Sequence, residues 1–381
     1  MSSGPDIVVY GATGLTGRRA CAELEATGTA FAIAGRDPAK LHALAEAFPA
    51  AAVRVATTDD PAALARAFGD AKVVLACSGP AGAVNEPLLV AALAAGTHYV
   101  DLGGDQAFSH GAYERYESAA RRAGRVALVG AGVDCMLGDL AAAWAAAYVC
   151  GIEREEGDVV RRDPIARLAE DRPLDDIAVS YVFDDLVLSP AGQRAAFAGL
   201  HQRALAWRRD RWEQVAPASE HRRINAGLEL GGERDAVAFP GGDVITIPRH
   251  VSAMRIQTFA STSRRAATMT ALRLLARAVP FVPKRATELL AAYEPSEAEY
   301  ARTRFAVIAQ ARRGFSAAQV TVRGHDLYRS AAIIATWIAR QLVARSTGPV
   351  GMRAPSELFR PEPALREVAE AAGLVVEPSF A

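Results

Sequence analysis

Seven residues near the amino terminus, Gly11-Ala12-Thr13-Gly14-Leu15-Thr16-Gly17, have the types and spacing of a turn that grips a dinucleotide pyrophosphate. They follow directly on the apolar run Ile7–Tyr10 and open a helical pattern, the strand–turn–helix setting that gives a glycine pattern its meaning. Gly11 permits the sharp turn, Gly14 lets the backbone approach the anion, and Gly17 permits close packing of helix on strand. The helix N-terminus offers free N–H groups and a positive dipole end, and the hydroxyls of Thr13 and Thr16 add donors. Cofactor contacts are therefore assigned to Gly11, Thr13, Gly14, Leu15, Thr16 and Gly17.

The second apolar run ends in Ala34-Gly35-Arg36-Asp37-Pro38-Ala39-Lys40. NAD enzymes usually place a carboxylate here to accept from the ribose 2′-hydroxyl. Arg36 stands where a guanidinium pairs with a 2′-phosphate and stacks on adenine, and Lys40 adds charge one helical turn later. That order points to NADP, with Asp37 as the residue that would argue for NAD. A further loop, Cys77-Ser78-Gly79-Pro80-Ala81-Gly82, follows the fourth run at the carboxyl edge of the expected sheet. Ser78, Gly79 and Pro80 are expected at the ribose or nicotinamide end, the alternative being a plain strand–helix connection.

A reductase that takes its hydride from a cofactor needs one proton from the protein. Candidates are His250, Asp134, Cys135, Tyr99, His325 and Tyr328. His250, beside Arg249, follows the run Val244–Ile247, read here as a strand, and either holds a substrate group or caps that strand. Asp134 and Cys135 lie just after the sixth run, where a sheet edge faces a nicotinamide; Asp134 and Asp139 read equally well as helix N-caps. Asp326 reads as a cap, and His98, at the amino end of a strand, as structural. None of the nine tyrosines has lysine four residues on, so the short-chain dehydrogenase site is absent; with no G-x-S-x-G or H-E-x-x-H, hydrolase and metalloenzyme readings have little to stand on.

Positioning these residues requires a parallel sheet. Apolar runs at Ile7–Tyr10, Phe31–Ala34, Val53–Val55, Val73–Ala76, Tyr99–Leu102 and Val126–Val129 alternate with helical patterns near 15–27, 38–47, 61–68, 84–95 and 107–123. Continuous apolar runs are what strands buried on both faces require, which predicts an α/β, Rossmann-type doubly wound domain over residues 1–150. From 151 to 325 the alternation stops. Strands are expected at Ile177–Phe183, Val244–Ile247, Met254–Phe259, Phe305–Arg312 and Gln319–Gly324, the last two as a hairpin. Helices are expected near 190–206, 264–278 and 285–292, the arginine-rich stretch 203–211 being a solvated helix surface. That makes an α+β second domain for substrate or dimerisation. Residues 326–381 form C-terminal helices, beginning with a long one at Asp326–Arg345. The segment 264–292 is apolar enough to line an acyl tunnel, but equally to be core or the face of a homodimer.

Acidic and basic residues number 43 each among 381, so nothing in the charge suggests nucleic acid. The four cysteines have no C-x-x-C spacing, which argues against a zinc site or a disulfide framework, and no metal is expected. No signal-peptide pattern is present, and the longest weakly polar stretch, Leu140–Ile152, is too short to span a membrane. A reduced cytoplasmic protein is expected.

Several segments in order, Tyr10–Arg18, Ala34–Leu41, Cys77–Gly82, His98–Asp105, Gly132–Leu140, Pro240–Asp243, Ile247–His250 and Val322–Tyr328, resemble the saccharopine dehydrogenase-like reductases, in particular the trans-acting enoyl reductase group. The chain departs from that pattern at Asp105, where the family typically has Glu, and at Cys135-Met136-Leu137-Gly138-Asp139, where it usually carries Ser-x-Pro-Ser/Gly-Asp. The resemblance implies a Rossmann domain plus an α+β domain, with the last helices returning to the first. It also implies NADPH-dependent reduction of an activated double bond in a small-molecule or acyl-chain substrate. Two other readings stand beside it: reduction of amino acid-derived imines, and a non-catalytic NADP-binding protein that kept the fold.

Overall fold

The structure, a computed structural model, describes residues 4–79, 82, 84–152, 157–200, 204–216, 219–262 and 294–380. Pro80 and the apolar segment 264–292 lie outside the described residues. The chain falls into two compact units. One comprises Met1–Gly132, Arg161–Pro164 and Tyr328–Arg353; the other comprises Val133–Val160, Ile165–Leu327 and Ala354–Ala381.

In the first unit the expected apolar runs are strands β1 (Ile7–Tyr10), β2 (Phe31–Gly35), β3 (Ala52–Val55), β4 (Val73–Ala76), β5 (His98–Asp101) and β6 (Val126–Leu128). They pair in parallel in the order β6-β5-β4-β1-β2-β3. A two-residue strand from far along the chain, β15 (Gly351–Met352), adds in parallel beside β6. β1, β2 and β4 are buried throughout, as their uninterrupted apolar sequences require. The strand order reverses between β1 and β4, so the chain leaves their carboxyl ends side by side, at Gly11 and at Cys77, at the switch point of a Rossmann-type sheet. Helices α1 (Leu15–Ala26), α2 (Pro38–Ala45), α3 (Pro61–Phe68), α4 (Asn85–Ala94) and α5 (Gln106–Ala123) complete the βα repeats. The long helix Leu327–Ala344 buries Ile333, Ile334, Trp337, Ile338 and Leu342, the apolar face its periodicity predicts.

The second unit begins with α6 (Gly138–Val149), buried on nearly all sides and packed on the second sheet. Its placement puts the division at Gly132 rather than at residue 150, and the terminal stretch 326–381 is shared between the units. The sheet contains β7 (Asp176–Asp184), β8 (Ala204–Arg208), β9 (Arg211–Val215), β10 (His221–Asn225), β11 (Glu233–Ala238), β12 (Arg255–Ser261), β13 (Arg304–Arg313), β14 (Ser316–His325) and β16 (Val375–Phe380). Its main path runs β10-β11-β12-β7-β13-β14-β16, with β12 and β7 parallel and the other pairs antiparallel. The expected β13–β14 hairpin closes on Gly314 and Phe315, with Arg313 opposite Ser316.

Two expected elements are corrected. Val244–Ile247 is not a strand but belongs to a helical turn, Asp243–Thr246, continued by a 3-10 turn Ile247–Arg249. All four residues 244–247 are buried, so burial rather than the strand preference of β-branched side chains decides their conformation. The arginine-rich stretch 203–211 is not a helix surface. It carries the β8–β9 hairpin, turned at Arg209 and Asp210, which adopt φ +49° and +64°, and tied by Trp207 packing edge-on against Trp212 with centroids 4.8 Å apart. Among the described residues, no helix is long and apolar enough to cross a membrane.

Candidate functional site

In the first unit the turn after β1 is closed by backbone hydrogen bonds, with the Arg18 guanidinium donating to the Thr13 carbonyl at 3.1 Å. Gly11 takes φ +80°, its N–H and that of Ala12 donate to the Ala34 carbonyl, and the Gly14 N–H closes back on the Gly11 carbonyl at 3.0 Å. A β-carbon at Gly17 would overlap the Gly11 carbonyl oxygen and come within 2.8 Å of the Ala12 Cα, so only glycine lets α1 seat this closely on β1. Gly14 is exposed and caps α1 with no side chain on the free helix N–H groups. An open glycine cradle over an uncapped helix start is the donor set a pyrophosphate needs, and these residues fit a dinucleotide.

Arg36 leaves the end of β2 exposed to solvent. Asp37, the residue that would argue for NAD, is occupied as the N-cap of α2: its carboxylate accepts from the Lys40 N–H at 3.1 Å. The Lys40 ammonium lies 4.0 Å from the same carboxylate and is 73% exposed. At the next loop Ser78 donates to the Asn85 side-chain oxygen at 3.3 Å. Beneath it, fully buried Tyr99 donates to Asp101, whose other oxygen accepts the Gly103 and Gly130 N–H groups at 3.0 and 2.9 Å. Asp101 thereby ties together the segments leaving β5 and β6, and burial pushes its carboxyl up to about 6. Tyr99 is thus a buried support rather than an exposed acid. His98 accepts the Val126 N–H at 3.0 Å, and burial, with Arg125 and Arg345 nearby, lowers its imidazole to about 4. Asp105 caps α5 through the Phe108 N–H.

The second unit holds a buried polar cluster that brings three of the candidates together. Asp134 (φ −71°, ψ 130°) and Cys135 (φ 84°, ψ −56°) form a kink just before α6, and positive φ at a cysteine marks real strain. Asp134 is half-buried, and burial raises its carboxyl above the usual range. Cys135 is 2% exposed; burial and the nearby Asp243 and Asp139 carboxyls push its thiol well up, so it stays a thiol, 3.7 Å from the Thr246 hydroxyl. Its N–H donates to the Tyr181 hydroxyl at 2.9 Å, which donates to Asp243 at 2.7 Å. Burial raises the Asp243 carboxyl to about 7.

His250 is equally enclosed. Its Nε2 lies 2.8 Å from Asp139 Oδ2, while Asp139 Oδ1 accepts from the Ser356 N–H and hydroxyl at 2.9 and 2.6 Å. Burial opposes ionisation of Asp139, but His250 and then Ser356 outweigh it and hold the carboxyl below its ordinary value. Asp139 therefore is no solvent-side helix cap; it is the centre of a buried pair. Arg249 makes a two-pronged pair with Glu357, at 2.8 and 3.3 Å, which occupies the guanidinium beside His250. Sequence reasoning assigned no role to Tyr181, Asp243 or Ser356. Asp243 lay within a motif, Pro240–Asp243, that named no chemistry, and Tyr181 gave no local signal at all, because its partners come from distant segments.

Residues 7–128 match the family described as "Saccharopine dehydrogenase NADP binding domain". The chain is 33% identical over 141 residues to a trans-acting enoyl reductase of Mycobacterium ulcerans, covering 35% of this chain and 34% of that protein. Trans-acting enoyl reductases of Mycobacterium tuberculosis and Mycobacterium bovis match at the same identity and coverage. The alignments thus span about a third of the length of these relatives. A saccharopine dehydrogenase (L-Glu forming) of Saccharomyces cerevisiae shares the fold over 99% of this chain and 100% of its own, with a TM-score of 0.61 at 13% identity. Residues 7–128, which carry the Gly11–Gly17 turn, thus match the NADP-binding domain of the saccharopine dehydrogenases and form an NADP-binding domain.

Proposed function

We propose that the protein is an NADPH-dependent reductase acting on an activated carbon–carbon double bond, in an enoyl or related conjugated substrate. The observation that carries this reading is the uncapped glycine turn of an NADP-binding domain in a chain whose curated relatives are trans-acting enoyl reductases. Bound NADPH would supply the hydride, so the protein's part is to hold the dinucleotide, orient the substrate and deliver one proton. Gly11–Gly17 hold the pyrophosphate and Arg36 the 2′-phosphate. Asp134 is the proton donor we favour, since it alone among Asp134, Cys135 and His250 is a part-exposed residue and its burial favours the protonated form.

NADPH oxidation against parallel panels of enoyl thioesters and cyclic imines tests the reaction class. Turnover of the enoyl compounds is the expected result. Turnover of imines alone would move the protein to amino acid-type chemistry, and tight NADPH binding without turnover of either would make it a binding protein. Within an active preparation, Asp134→Asn should lower kcat by about 100-fold with NADPH affinity intact. An unchanged kcat would retire Asp134 as the donor.

Arg36 decides between the two dinucleotides. Arg36→Ala should weaken NADPH binding by about 2 kcal/mol, roughly 30-fold, through loss of a charge-assisted phosphate contact, and leave NADH binding nearly unchanged. Fluorescence titration of both cofactors measures this; equal losses would place the 2′-phosphate elsewhere.

A further inference from the structure

Three features of the second unit lack an explanation in the proposed reaction: the strained Cys135, the buried pair Tyr181–Asp243, and two glycines packed against them. They meet at one point. The Cys135 N–H donates to Tyr181, Tyr181 donates to Asp243 Oδ2, and all three residues are at most 2% exposed. Asp243 Oδ1 has no hydrogen-bond partner among the described residues. A β-carbon at Gly138, the first residue of α6, would overlap that oxygen and lie 2.5 Å from the Tyr181 hydroxyl. One at Gly242 would lie 3.3 Å from the Cys135 thiol. Both helical starts have therefore given up their side chains to let the turn, the phenol and the carboxyl close on each other.

Such an arrangement is costly on its own. A buried carboxyl with one unsatisfied oxygen is less stable than an apolar replacement, and a cysteine at φ 84° is more strained than a glycine. Tertiary structure keeps strain of this kind chiefly where a turn must aim a side chain. The residue this turn aims is Asp134, adjacent to Cys135 and the part-exposed member of the cluster.

We propose that Tyr181 and Asp243 are positioning residues for Asp134: the phenol pins the Cys135 amide, the Asp243 carboxyl fixes the phenol, and the strained turn so held presents the Asp134 carboxyl in one orientation. The inference rests on the reading of Asp134 as proton donor, and its test separates the two. Neither residue touches substrate; each acts through the Cys135 backbone.

Two measurements on the full-length protein test it. Tyr181→Phe removes one oxygen and keeps the ring, which packs edge-on to Phe239 at 6.0 Å. The first measurement needs no activity: the rate at which the Cys135 thiol reacts with a maleimide, followed by peptide mass spectrometry so that Cys21, Cys77 and Cys150 are counted separately. Tyr181→Phe should speed Cys135 labelling at least tenfold while the labelling of Cys21 is unchanged. The second is steady-state turnover, where Tyr181→Phe should lower kcat about tenfold with KM for NADPH unaltered. Asp243→Leu should behave the same way, and Asp243→Asn, whose amide oxygen still accepts from the phenol, should recover most of the loss relative to Asp243→Leu. Unchanged Cys135 labelling in Tyr181→Phe overturns the positioning pair, whatever happens to kcat. Faster labelling with unchanged kcat leaves the pinning intact and overturns the link to Asp134. If Asp243→Leu does not fold, the comparison of Tyr181→Phe with Asp243→Asn alone still decides, since equal loss in both contradicts the order of hydrogen bonds proposed.

Discussion

Replacing Gly17 by valine is expected to abolish measurable NADPH binding, a loss of at least about 100-fold. The β-carbon alone would overlap the Gly11 carbonyl oxygen and approach the Ala12 Cα and Gly11 carbonyl carbon to 2.8 and 2.9 Å. Every one of these atoms is backbone, so no side chain can swing aside. The only relief is to lift α1 off β1, which turns the uncapped N–H groups of its first turn, after Gly14, away from the position they hold for an anion. Losing two charge-assisted backbone contacts at about 1.5 kcal/mol each gives the quoted factor. Fluorescence titration with NADPH checks it, with circular dichroism to show that the sheet survives. Retained affinity in a folded Gly17→Val protein would mean that the dinucleotide does not lie on this turn.

His250→Ala is expected to destabilise the protein by about 3 kcal/mol without altering NADPH affinity. His250 and Asp139 have side chains 1% and 0% exposed, so the substitution strands a carboxylate in the interior with only the hydroxyls of Ser356 and Thr246 as side-chain partners among the described residues. A merely surface pair would cost a fraction of this. The pH dependence has a definite sign. Asp139 is held below its ordinary carboxyl value, so its contribution to stability is present above about pH 4 and is lost as pH falls below that. His250→Ala removes the partner responsible for most of that depression. The mutant should therefore lose less on acidification than the parent, the two urea midpoints converging toward pH 3. Parallel curves at all pH values would show that His250 does not set the Asp139 ionisation.

What was legible in the sequence follows the physics of each element. β1, β2 and β4 could be read because strands buried on both faces must be continuously apolar, and the glycine turn because its donors are consecutive in the chain. Val244–Ile247 was misread because four buried β-branched residues carry no period, and burial satisfies a helix as well as a strand. The arginines of 203–211 hid a hairpin whose evidence, the Trp207–Trp212 contact, depends on a turn with positive φ at two residues that are not glycine. The cluster around Asp134 was visible only in part. Asp139 and Ser356 are 217 positions apart, and Tyr181 and Asp243 are 62 apart, so no local pattern joins them. The two-residue strand β15 had no pattern to read.

That short strand has a consequence for how the protein is made. β6 finds its outer neighbour in Gly351–Met352, and the Met352 N–H is held at 2.7 Å by Glu117, a residue 235 positions earlier. Arg353 reaches the same carboxylate at 3.3 Å. During translation the cofactor-binding sheet can assemble six of its seven strands early, yet one flank of β6 must wait until Gly351–Met352 have left the ribosome. For that interval the nascent chain carries a bare apolar strand edge, the feature on which folding intermediates associate. Synthesis that stalls before residue 351 would release a chain with every residue of the glycine turn and an unsealed sheet, a substrate for chaperones rather than for NADPH.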